Sequence, residues 1–189
     1  MKKIFFFFLS CYGICTVGFS QDSNIDSHTL TVTVPEVALL DLESALPLNF
    51  GMTFLPPTGN EAGKKINNPL NNLTVWLNYS SIVTAAAPDN IRKVTVKTDV
   101  NSPGGVTFSV NAGADVGMGA GTVGTTTGNV SLNPVPDDLI TGIGSCYTGN
   151  GPSKGHLLTY SAAVNLPTYS SLVAGITPIK VTYTLSDNP

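Results

Sequence analysis

The chain has 189 residues, of which only 11% are charged, and its formal net charge is −3. It therefore lacks the basic footprint with which proteins bind nucleic acid or anionic membranes, and we expect neither as a partner. The length suffices for one domain with a sizeable core. Hydroxyl, amide and glycine residues take the place of the missing charges, which is typical of an exported β protein.

The first twenty residues, MKKIFFFFLSCYGICTVGFS, have the pattern of a secretory signal peptide. Two lysines precede an apolar run, and Gly18 and Ser20 are the small residues expected before a cleavage site after Ser20. The run is too short and too interrupted for a comfortable membrane span. We therefore expect a secreted protein of the periplasm, outer surface or extracellular space, with residues 21–189 as its domain. An uncleaved anchor and a lipid-modified Cys11 are the alternatives.

Alternation of apolar and polar residues predicts strands along most of the chain. In the first, HTLTVTV at residues 28–34, Leu30, Val32 and Val34 share one face, and Pro35 ends the pattern. Further strands are predicted, in chain order, at residues 46–54, 73–79, 91–98, 106–110, 129–132, 157–164 and 179–185. The pattern predicts an all-β fold, an antiparallel immunoglobulin-like β-sandwich of about seven to nine strands.

Two stretches fall outside this alternation. Residues 112–128 are rich in glycine, which predicts a mobile loop or an irregular edge. Residues 140–156 are predicted to be a crossover between strands, with Ile140 and Ile143 packing inward. Only Cys146 remains after signal cleavage, so we expect no intrachain disulfide.

The segment LTVTVPEVALLDLESALPLNF, residues 30–50, and the closing PIKVTYTLSD, residues 178–187, resemble the first and last strands of colonization-factor-type fimbrial subunits and the related spore-coat-protein-U-like proteins. The strand RKVTVKTD at residues 92–99 also fits this pattern. The stretches ITGIGSCYTGNG and VTYTLSDN are similar to those of secreted Bacteroidetes-type proteins with no assigned activity.

The fimbrial resemblance implies an immunoglobulin-like sandwich whose N-terminal extension completes the sheet of a neighbouring subunit. The donor strand would be residues 28–34, with Leu30, Val32 and Val34 filling the neighbour's groove. The alternative is that residues 28–34 are the first strand of their own domain. The glycine-rich stretch and residues 140–156 depart from the fimbrial pattern.

The stretch ITGIGSCYTGNGPSKGHLLTYS, residues 140–161, resembles a catalytic loop but misses each template. Asn150 stands where a phosphate-binding loop requires lysine, and Ile143 and Tyr147 flank Ser145 where a nucleophile elbow requires glycines. A thiol–imidazole pair of Cys146 with His28 or His156 is conceivable, but a cysteine packing as a small apolar residue is the simpler interpretation.

Ligand-binding patterns are also weak. Asp137 and Asp138 could join Asn133 in a calcium site, but they are not spaced like one, so we predict no metal and no cofactor. Tyr147 and His156 are predicted to be exposed loop contacts. We therefore expect no enzyme activity. We predict a surface structural or adhesive subunit that binds copies of itself or another envelope protein. The alternative is a module that binds carbohydrate or another small ligand through residues 112–156.

Overall fold

The computed structural model describes residues 25–188, so the predicted signal peptide, residues 1–20, lies outside the described part of the chain. The chain divides into two units after Thr33. Residues 25–33, the described part of the first unit, contain no helix or strand. The second unit contains all the described secondary structure. The single domain predicted over residues 21–189 includes residues that are not described, and it stays a prediction.

Within the described residues the second unit consists of nine strands and two short 3₁₀ helices. The strands are β1 Val37–Ser44, β2 Asn72–Ile82, β3 Arg92–Thr98, β4 Val106–Asp115, β5 Ala120–Thr126, β6 Asn129–Ser131, β7 Asp137–Tyr147, β8 His156–Val164 and β9 Val181–Asp187. The 3₁₀ helices are Thr58–Asn60 and Leu166–Ser171. The predicted all-β class is therefore confirmed.

All strand pairs are antiparallel, and the strands follow the order β6-β4-β8-β2-β7-β3-β9, with β1 on β2 and β5 on β7. The two groups β6-β4-β8-β2-β1 and β5-β7-β3-β9 meet where Ser80 and Ser81 of β2 pair with Tyr147 and Cys146 of β7. Such a narrow junction lets the two groups pack face to face, which is the sandwich-like arrangement predicted from the sequence.

One apolar core joins the two groups of strands. Alternate residues of the central strands point into it, as period-2 patterning requires. Its fully buried members include Leu77 of β2, Val94 of β3, Ile140 of β7 and Leu158 of β8, each with no measurable exposure. The edge strands β1, β5 and β9 contribute only partly buried side chains to this core, among them Leu185 of β9, whereas β6 contributes the buried Val130.

The strand predicted at residues 28–34 is not formed. The first strand is β1, which pairs with residues 75–82 of β2 and so occupies that edge of β2. Alternation favours an extended chain, but a strand also needs a partner edge, and none of residues 25–188 pairs with residues 28–34. The strand predicted at residues 46–54 is likewise an irregular segment, from which Phe50 packs against the core.

The crossover predicted over residues 140–156 is wrong in its first half, because β7 runs to Tyr147. A bulge hides the alternation: Arg92 pairs with Ile143 and Val94 with Ile140, so β7 has one extra residue there. Gly142 provides the positive φ of 71° at this bulge. The stretch 112–128 contains the end of β4 and all of β5. β5 is an edge strand with a register shift against β7, which agrees with the predicted irregular edge.

Candidate functional site

The segment before β1 exposes a row of apolar side chains. Leu30, Val32 and Val34 are 79%, 76% and 71% exposed. No charged residue lies between His28 and Pro35. An apolar, uncharged row that remains in water is unfavourable for an isolated chain, and such rows commonly mark interaction sites.

The chain is fixed directly after this segment by Arg92. The Arg92 side chain is 3% exposed, and its Nη2 donates to Oε1 of Glu36. Its Nη1 donates to the carbonyl of Val37 and, at 3.2 Å, to the carbonyl of Ile82. Its Nε donates at 3.0 Å to Oδ1 of Asp187. One buried guanidinium therefore joins the start of β1 and the ends of β2 and β9.

Four strands have a neighbour on one side only, namely β1, β5, β6 and β9, as far as the described residues go. The edge at β6 is three residues long, and β5 is interrupted by a register shift. By contrast, β9 pairs with β3 over seven consecutive positions without a shift. Its Val181, Tyr183 and Leu185 pack against the core but remain partly exposed. The outer edge of β9 is therefore long, regular and only partly covered.

A groove of about 610 Å³ crosses the surface where β1, β2, β7 and β5 lie side by side. Pairing places Leu39, Ser80, Tyr147 and Ala120 in one row across these four strands. Tyr147 is 53% exposed and Leu39 65% exposed at this groove. The residues that line the groove carry no charge, so it suits an uncharged ligand.

The prediction that His156 is an exposed contact is wrong, since His156 is 1% exposed. It begins β8 and shares its inward face with Leu158 and Tyr160. Its Nδ1 lies 2.8 Å from the carbonyl oxygen of Gly113 and its Nε2 lies 2.9 Å from the hydroxyl of Tyr79. Burial lowers the pKa of His156, while the Gly113 hydrogen bond and the charge of Asp115 oppose this shift. His156 is therefore part of a buried polar cluster.

Cys146 lies beside this cluster but does not form an activated thiol. Burial, with a contribution from the charge of Asp115, raises the pKa of Cys146 to about 11, so the thiol is protonated at neutral pH. Both nitrogens of His156 already have other partners. The hydroxyl of Ser145 accepts a hydrogen bond from the backbone N–H of Val83 at 3.1 Å. Cys146 is buried, as expected for a small packing residue.

The acidic residues near Asn133 bind other protein groups. Asn133 donates from Nδ2 to Oδ2 of Asp137 at 3.1 Å, and its Oδ1 accepts from the N–H of Val135 at 2.8 Å. Asp138 pairs with Lys93 at 3.1 Å. Among residues 25–188 no three histidine, cysteine or acidic side chains are grouped so as to hold a metal ion.

The burial of Arg92 and of His156 was not predicted from the sequence, although a signal was available. Arg92 alternates in step with Val94 and Val96, and His156 with Leu158 and Tyr160. Period-2 parity places each of them on the core face of its strand.

No helix in the described part of the chain is long and apolar enough to cross a membrane. No protein-family model, curated protein or solved structure matches the chain. The resemblance to fimbrial subunits therefore stays a prediction.

Proposed function

We propose that this protein is a secreted, non-enzymatic structural or adhesive subunit of the cell surface. It assembles with copies of itself by donating residues 28–34 as a β-strand. The observation that carries the proposal is the exposed row of Leu30, Val32 and Val34, on an alternating segment that pairs with no strand in the described part of the chain. Pairing with another subunit would satisfy the backbone and bury this row together.

Arg92 supports the proposal through its position. It fixes the chain at Glu36 and Val37, so the donor segment extends from a defined point on the domain. Seven extended residues span about 23 Å at 3.3 Å per residue, which is enough to cover one edge strand of a neighbour. The leader before them, residues 21–27, is polar and supplies no competing apolar row.

The acceptor that fits the donor best is the outer edge of β9. The donor carries an apolar face and a threonine face, and β9 has the same division. Its Val181, Tyr183 and Leu185 pack on the core, while Thr184 is exposed. A strand added here would extend the partly covered core and set threonines beside threonines, a favourable cross-strand pair. The other long edge, β1, bears Asp41 and Glu43, which match the donor less well.

The test of strand donation is deletion of residues 22–34, followed by addition of a synthetic peptide of residues 28–34. We expect the deletion to abolish multimers seen by sedimentation, and the shortened domain to bind the peptide. A full-length chain that stays monomeric at high concentration would contradict the proposal.

The choice of β9 is tested separately by disulfide trapping in a Cys146→Ser background. Chains with Thr31→Cys are mixed with chains carrying Thr182→Cys, Thr184→Cys or Ser186→Cys. Three positions are used because the register between the donor segment and β9 is not known in advance. We expect one of these mixtures to form a covalent dimer. Thr125→Cys on edge strand β5 is the matched control. Trapping at Thr125 alone would refute β9 as the acceptor without refuting donation.

A second candidate function is favoured by the groove at Tyr147. An exposed tyrosine ring beside the hydroxyls of Ser80 and Ser145 suits the apolar face and hydroxyls of a sugar. The test is a glycan array with the wild type and Tyr147→Ala, with Tyr169→Ala as an exposed control. Binding that Tyr147→Ala removes and Tyr169→Ala retains supports this function. An array without any signal rejects it.

A further inference from the structure

The cluster around His156 contains three polar contacts, but a neutral imidazole and the Tyr79 hydroxyl together have only two protons to form them. The carbonyl of Gly113 can only accept, so Nδ1 of His156 must carry a proton. The hydroxyl of Tyr79 contacts both Nε2 of His156 and the carbonyl oxygen of Val123. A tyrosine hydroxyl has a single proton and can donate to only one of these two acceptors.

Two proton arrangements follow from this geometry. With neutral His156, a Tyr79 hydroxyl that donates to Nε2 leaves the Val123 carbonyl without that donor. With protonated His156, Nε2 donates to the Tyr79 oxygen, and the Tyr79 proton turns to Val123. All three contacts become hydrogen bonds only in the protonated arrangement.

Asp115 supplies a second reason why a proton can be held here. It is the cross-strand partner of His156 between β4 and β8. Its Oδ2 accepts from the N–H of Gly117 at 2.8 Å, while its Oδ1 is buried without a hydrogen-bond partner. A buried carboxylate oxygen of this kind is stabilised by a nearby positive charge.

We propose that His156 is a proton-operated switch, which Tyr79 couples to the edge strand β5 through the carbonyl of Val123. In acid, the Tyr79 hydroxyl donates to the Val123 carbonyl and so links β5 to the core. At neutral pH, this hydrogen bond is lost. The titratable groups that face His156 are Tyr79 from β2 and Asp115 from β4. Cys146 from β7 interacts in turn with Tyr79 and Asp115. β5 itself contains no titratable residue.

Burial keeps the imidazole neutral near pH 7, so the switch operates on the acid side of the ordinary histidine value. Burial also raises the pKa of Tyr79 and the pKa of Cys146, so neither of them ionises in that range. Ala120 and Gly121 of β5 line the groove at Tyr147, so the switch alters one wall of that groove. This inference does not depend on strand donation.

The test is a pH titration of the full chain by NMR, with ¹⁵N in the histidine rings and ¹³C in the backbone carbonyls. We expect the Val123 carbonyl resonance to shift with the same midpoint as His156 Nε2. In Tyr79→Phe the Val123 shift should be lost. The exposed His28 gives a separate imidazole signal, with which the Val123 resonance should not correlate.

Two results of the wild-type titration would each overturn the switch. One is a Val123 carbonyl that stays constant while His156 titrates. The other is a His156 that stays neutral until the protein unfolds in acid. Because both are read from the wild type, the test holds even if Tyr79→Phe fails to fold.

Discussion

Arg92, at the start of β3, donates from Nε to Oδ1 of Asp187, at the end of β9, at a distance of 3.0 Å. The same guanidinium donates to the backbone carbonyls of Val37 and Ile82. Arg92→Ala therefore removes the donors of several groups at once. We expect it to lower the free energy of unfolding by about 3–5 kcal/mol, measured by urea denaturation.

The matched control for Arg92 is its neighbour Lys93, whose side chain is 26% exposed in its pair with Asp138. An ion pair at such a site contributes about 0–1 kcal/mol, because solvent screens it. Equal losses for Arg92→Ala and Lys93→Ala would show that the buried guanidinium does not organise this junction.

The hydroxyls of Tyr160 and Tyr183 lie 2.7 Å apart and link β8 to β9. Burial raises the pKa of Tyr160 to about 12, although the hydrogen bond with Tyr183 opposes this shift. Tyr183→Phe leaves the Tyr160 hydroxyl buried without its partner, at a cost of about 1–3 kcal/mol. The double variant Tyr160→Phe/Tyr183→Phe should lose less free energy of unfolding than the two single variants lose in sum. Strict additivity in this double-mutant cycle would mean that the pair is not coupled.

Gly155 turns the chain into β8 with a φ of +62° in a confined space. A Cβ there would lie 2.3 Å from the carbonyl oxygen of Leu77 and 2.6 Å from Oδ1 of Asn78. Gly151 also has positive φ, 103°, but open space around it. We expect Gly155→Ala to destabilise by at least about 1 kcal/mol more than Gly151→Ala in thermal melts. Similar melting temperatures for the two variants would contradict the packing around Gly155.

Burial of His156 predicts a loss of stability in mild acid. Its folded pKa lies below the ordinary 6.5, so the unfolded chain binds the proton first as the pH falls. Stability should therefore decrease below pH 6.5, with a slope of up to about 1.4 kcal/mol per pH unit, until the folded His156 titrates too. Urea denaturation at several pH values between 6.5 and about 5 measures this slope. This pH range lies above the pKa of most carboxylates, so they contribute little to the slope. His156→Gln should reduce it and His28→Gln should not; equal slopes in all three proteins would be inconsistent with a buried neutral imidazole.

Sequence alternation predicted the central strands because their side chains follow a regular pleat. Val75, Leu77 and Tyr79 are buried on one face of β2, as their spacing indicates. The same reasoning failed at β7, where the extra residue at Gly142 shifts the inward positions from one parity to the other. A bulge of this kind depends on the pairing between strands, which a single sequence does not specify.

The candidate sites were less predictable, because they depend on contacts between distant residues. His156 was expected to be exposed since polar side chains usually face water, yet Tyr79 and Gly113 supply partners that make its burial favourable. Residues 28–34 show the opposite failure. Their local pattern specifies a strand, but no described edge of the same chain pairs with them.

The central claim is that the apolar face of residues 28–34 enters a neighbouring subunit. The most direct measurement compares Val32→Asp with Thr31→Asp by sedimentation velocity over a range of concentrations. The two changes place the same charge on opposite faces of one strand. We predict that Val32→Asp stays monomeric while Thr31→Asp forms multimers like the wild type. Equal assembly by both variants, or no assembly by the wild type, would contradict the account.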